Sequence, residues 1–144
     1  MSGATVVQNG RAKAHRPLPA DVRRQAFDAA IAAYERGDYF EAHELLEPAW
    51  MGTDDLAERS LHQGLIKLAA AFVHGARGNP TGIARNLVGA RLHLAAAAGG
   101  EPARASGLDI EALVAAIDDR LARLGADPLD ASIEPPALTR VAAR

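Results

Sequence analysis

What most constrains this chain is its punctuation. Gly37-Asp38, Gly52 with Asp55, Gly78-Asn79-Pro80 and, across a longer link, Gly99-Gly100 with Asp109 each set a residue that ends a helix ahead of one that starts the next. Glycine accepts the backbone that closes a helix, and an Asp or Asn side chain takes up free N–H groups in the first turn of the following one. Between the marks, apolar residues recur at helical spacing, as in Leu61, Leu65, Leu68 and Phe72 or Ile83, Leu87, Ala90 and Leu94. The pattern predicts an all-α fold, a single compact bundle of about five helices in antiparallel hairpins, since links this short fold each helix back on the last.

The expected helices run from Pro19 to Arg36, from the Asp38 cap to Trp50, from Leu56 to Arg77, from Pro80 to Gly99-Gly100, and from Asp109 to Gly125. The first should turn Val22, Phe27, Ala30, Ile31 and Tyr34 inward. Pro48 removes a backbone donor and is expected to bend the second helix. Gly64 and Gly75 weaken the third by propensity. Residues 101–107, with Pro102, Ser106 and Gly107, read as a polar link. On this reading residues 1–17 are a flexible N-terminal tail, 18–125 the helical domain and 126–144 an extended C-terminal tail.

With 49% hydrophobic residues but only 4% aromatic ones, the core has to come mainly from Ala, Leu, Val and Ile, which favours closely approaching helices. A net charge of -2 argues against a nucleic-acid partner, because such domains carry a basic excess. The chain has no cysteine, which excludes thiolate chemistry and disulfides. No stretch approaches the roughly 18 apolar residues of a membrane span, and no apolar leader is visible at the N-terminus, so a cytoplasmic location without a membrane partner is expected.

The densest chemistry lies in Tyr39-Phe40-Glu41-Ala42-His43-Glu44-Leu45-Leu46-Glu47-Pro48-Ala49-Trp50. His43 and Glu47 are four apart and share a helix face, with Tyr39, Leu46 and Trp50 along nearly the same strip. A carboxylate there can orient the imidazole, raise its pKa or share a metal with it. The same spacing also makes an ordinary helix-stabilising pair, and a Trp beside it serves equally as a core anchor. Glu47 stands where a zinc peptidase would place its second His, which disfavours that class. In the third helix Gln63, Lys67 and His74 form a polar strip that either faces water or closes a cleft with His43 and Glu47. His62 and His93 are lone histidines with no ligand role assigned, and Asn79 reads as a helix cap. Phosphate loops and nucleophile elbows are absent.

Two resemblances rest on these residues. Gly37-Asp38-Tyr39, Ala42, Leu46 and Ala49 resemble the turn and second helix of one tetratricopeptide unit, over a single hairpin. His43-Glu44-x-x-Glu47-x-x-Trp50, then Gln63-Gly64-Leu65-Ile66, then His74 and Arg77-Gly78-Asn79 are similar to the ordered motifs of the small prokaryotic helical family catalogued as domain of unknown function 309. That resemblance covers Phe27 to Leu94 and implies an all-helical bundle. It marks His43, Glu44, Glu47, Trp50, Gln63, His74 and Asn79 as characteristic positions and implies no activity. The chain departs from the pattern at His62, where an aromatic usually precedes the Gln, and at Pro48.

The functional expectation is a non-enzymatic binding or protein-interaction module. Its polar and aromatic cleft between the second and third helices would hold His43, Glu44, Glu47, Trp50, Gln63, Lys67 and His74, and would take a protein or small-molecule ligand without a cofactor. The alternative is a metal-dependent hydrolase-like enzyme with a divalent ion on His43, Glu47 and His74 and with Glu44 moving protons. The small residues of the Ala-rich fourth and fifth helices would also permit a homodimer.

Overall fold

Four helices in the computed structural model open on the capping side chains that the sequence offers. Asp38 accepts from the Glu41 N–H at 3.2 Å, Asp55 from Glu58 at 3.0 Å, Asn79 from Gly82 at 3.1 Å and Asp109 from Ala112 at 3.0 Å. These contacts satisfy backbone donors that a helix start leaves free. The structure describes residues 16–141 together with the backbone of 5–8 and 11–14. Its helices are α1 (Ala20–Glu35), α2 (Tyr39–Met51), α3 (Leu56–Ala76), α4 (Pro80–Ala97), α5 (Glu101–Ser106) and α6 (Ile110–Ala126). Ahead of them, β1 (Thr5–Gln8) and β2 (Arg11–Ala14) pair antiparallel, with Gln8 opposite Arg11, inside the stretch expected as a tail.

The architecture is all-α, with one more helix than the expected five among the described residues. The extra helix, α5, occupies the stretch read as a polar link. Pro102 fits its first turn, where a missing N–H costs nothing, and Gly107 closes it at φ 76°. Ser106 donates to the Ala103 carbonyl at 2.6 Å and accepts from the Leu108 N–H at 3.1 Å, which fastens the exit.

α3 is the central element. It packs against α2 on one side and α4 on the other, with α1 outside α2 and α6 outside α4. Leu61, Leu65, Leu68, Ala69 and Phe72 fill its inner face, and they join Phe27, Leu46, Ile83, Leu87, Leu94 and Ile117 in one continuous core. Gly64 has a packing reason to be glycine: a Cβ there would lie 2.6 Å from Leu94 Cγ, so its absence lets α3 and α4 close up. Val22 departs from expectation. It is 39% exposed in the first turns of α1, whose buried face begins only at Phe27.

The stretches on either side of the helices are tied down. The Arg16 N–H donates to the Met51 carbonyl and the Leu18 N–H to the Gly52 carbonyl, so residues 16–18 form a strap across the end of α2. The C-terminal stretch has no helix, yet Ile133, Pro136 and Leu138 are buried and the Tyr34 hydroxyl donates to the Pro136 carbonyl at 2.7 Å. The Asp109 N–H donates to the Thr139 carbonyl and the Val141 N–H to the Gly107 carbonyl, which holds the strand-like end against the start of α6.

Candidate functional site

α2 carries the candidate residues on two sides. Its inner side holds Ala42, Leu46, Ala49 and Trp50 in the core. Trp50 is 2% exposed, with the Arg59 guanidinium 5.8 Å above its ring, so it anchors the core. His43 is half-buried between these sides. Its ring stacks on Phe40 at 6.3 Å, and Nδ1 is buried 3.4 Å from a Glu44 carboxylate oxygen, without a hydrogen bond.

Glu44 and Glu47 are three residues apart, and both line a groove of about 320 Å3 with Pro48 and Met51. The opposite wall is Arg16 and Leu18 from the strap. Leu18 also borders a second groove of about 450 Å3, where Asp54, Asp55 and Glu58 stand beside Arg23. Gly52 lets the strap close on the end of α2, because a Cβ on it would come within 3.0 Å of Leu18 and 2.9 Å of the Pro48 carbonyl. Phe40, 59% exposed, extends the same outward face of α2.

The α3 candidates differ in burial and in the contacts they make. Gln63 is buried and Lys67 half-buried, with the Lys67 stem against Gly89 of α4. Glu47, Gln63 and Lys67 are each engaged by a partner. His74 belongs to the α3–α4 turn: its Nδ1 is 3.1 Å from Asn79 Nδ2, and its ring covers Gly82 so closely that a Cβ there would sit 2.5 Å away. Asn79 therefore does two jobs, capping α4 through Oδ1 and meeting His74 through Nδ2. Among the described residues no group of three or more His, Asp or Glu could hold a metal ion.

One polar cluster went unread in the sequence. Arg23 of α1 grips Glu58 of α3 at 2.6 and 3.1 Å and the Leu18 carbonyl at 2.6 Å. That hydrogen bond to Glu58 raises the Arg23 pKa, with burial opposing it. Thr53 reaches the same carboxylate at 3.5 Å, and His62 Nε2 lies 4.0 Å from it. His62 is 3% exposed, and its burial lowers the pKa to about 4, Glu58 opposing the shift and Arg23 adding to it. The Glu58–His62 spacing of four was a local signal for this cluster, although Glu58 reads first as a capping-box residue. Arg23, thirty-five residues away from Glu58, gave none.

Among the described residues no helix is long and apolar enough to cross a membrane. No curated protein and no solved structure matches the chain at a significant level. The segment that supplies the candidate residues on α2 and α3, and the α3–α4 turn with them, does match: residues 27–86 fit the family described as Domain of unknown function (DUF309).

Proposed function

We propose that this domain is a non-catalytic interaction module that engages a protein partner through the outward face of α2 and the strap beside it. One observation carries the reading: the groove between α2 and the strap joins an apolar floor of Leu18, Pro48 and Met51 to a rim of Glu44 and Glu47. Recognition surfaces combine these two properties, apolar area for affinity and a few charges for orientation. The exposed Phe40, stacked on His43, adds an aromatic of the kind that anchors partners. The α1–α2 hairpin, with its turn resembling a tetratricopeptide unit, presents this face on two packed helices and so holds it rigid.

The test is site-specific photo-crosslinking in extracts of the source cells, with the crosslinker at position 40 or 44 and, as a control, at Glu111 on α6. Discrete adducts at 40 and 44, lost on adding the F40D change to the position-44 probe, are the expected result. Adducts equally abundant from Glu111, or none from α2, would remove the reading.

A further inference from the structure

Resting on the interaction reading above, we infer that the partner presents an extended cationic segment, Lys or Arg alternating with apolar residues, laid across the strap so that it occupies both grooves beside Leu18.

Charge complementarity sets the sign of the occupant. Among the described residues, the two grooves together are lined by Glu44, Glu47, Asp54, Asp55 and Glu58 against Arg16 and Arg23. Arg23 and Glu58 cancel one another through their paired hydrogen bonds. With Glu47 already engaged, Glu44, Asp54 and Asp55 still outnumber Arg16, and all three are exposed where a ligand can reach them. Such a surface repels phosphates, which argues against nucleic acid and anionic lipid as occupants. Among the described residues it holds no group of three His, Asp or Glu fit for a metal ion.

The apolar floor sets the rest. Lys and Arg lay their methylene stems along apolar surface while the charged head stays in water or on a carboxylate. Leu18, Pro48 and Met51 offer that surface in the first groove, with Glu44 at its edge. The second groove continues past Leu18 over Pro17, Gly52 and Thr53 toward Asp54 and Asp55. Two grooves separated by one side chain fit an extended strand that crosses Leu18 and sets residues i and i+2, which share one face of the strand, one into each groove. A helix would lift its charges off one of them. Rim pairs of this kind act strongly on association rate and salt dependence.

Two fluorescent peptides test this, one alternating Lys with Leu and Ala, the other with Glu in place of Lys, each titrated by anisotropy against the full chain. The Lys peptide is expected to bind and to weaken as salt rises, while the Glu peptide fails to bind. The double change E44K with D54K should weaken the Lys peptide by about tenfold or more. The milder E44Q with D54N should weaken it by several-fold, and E111K on α6 should leave it within about twofold. Equal binding of the Glu peptide, or an equal loss on E111K, overturns the inference. If the Lys peptide does not bind while crosslinking at 40 and 44 persists, the cationic partner is wrong and the interaction module stands. Loss of both results removes both.

Discussion

His62 packs 5.9 Å from Phe27 with its Nδ1 buried and unpartnered, and the fold tolerates it only as the neutral ring. In the unfolded chain the imidazole protonates near 6.5, and in the fold only near about 4. Between those values the unfolded state holds the extra proton, so this contribution to stability is whole above about 6.5 and is lost as pH falls toward about 4. The full loss is about 3 kcal/mol. His62→Phe should therefore flatten the fall in stability between pH 6.5 and about 4, and at pH 7 should gain about 1 kcal/mol by removing an unsatisfied buried nitrogen. Urea melts across that range decide it, and an unchanged slope would mean His62 is not held neutral. Glycines give a matched pair of tests in α3. Gly64→Ala gains helix propensity but drives a methyl into fully buried Leu94, and should cost about 1–3 kcal/mol net. Gly75→Ala, with no neighbour nearer than 3.4 Å, should be neutral or stabilise by a few tenths of a kcal/mol. If both changes prove harmless, the α3–α4 approach is looser than the geometry shows.

At the scale of elements, the C-terminal strand-like end acts as a clamp on α1 and α6. Burial raises the Tyr34 pKa far above the usual phenol range, and its hydroxyl donates to the Pro136 carbonyl. Tyr34→Phe removes that bond and leaves a buried carbonyl unsatisfied, for an expected loss of about 1–2 kcal/mol. Ending the chain after Asp130 also strips Ile133, Pro136 and Leu138 from the core. Each such side chain is worth about 1.5–3 kcal/mol when fully buried, so the shortened chain should melt far below the intact one. Thermal melts of both variants check this, and equal melting of the shortened chain would show that the end contributes nothing. α2 illustrates a different economy. Pro48 deprives the Glu44 carbonyl of its helical donor, yet the helix runs on to Met51 because Ala49 and Trp50 are locked in the core.

For the whole molecule, the hydrolase-like alternative needs His43, Glu47 and His74 on one ion. His74 is committed to the α3–α4 turn, where it meets Asn79 and covers Gly82. Excess zinc or manganese is expected to shift the melting temperature by no more than about one degree, measured by scanning fluorimetry. A saturable rise of several degrees would instead mark a site formed in the folded chain. The interaction reading places function at one end of the bundle, where the N-terminal strap crosses α2. The opposite turn, with His74, Asn79 and Gly82, reads as structural cement.

Helix starts and stops were legible in the residues, since a cap is a hydrogen bond spanning three positions and Asp38, Asp55, Asn79 and Asp109 each make theirs locally. So was the inner stripe of α3. The six residues of α5 are too few to display a period, and Val22 lay on the expected stripe but beyond the neighbours that would cover it. The shared groove of Glu44 and Glu47 was half legible: their spacing put them close together, but the facing wall came from Arg16 and Leu18, residues read as tail or its margin. Local chemistry thus determined where α2, α3, α4 and α6 begin, because caps and periodicity involve residues adjacent in the chain. Tertiary structure alone decided that His62 is buried, that Arg23 meets Glu58 and that Pro136 receives Tyr34, because burial and ion pairing depend on residues that only packing makes neighbours.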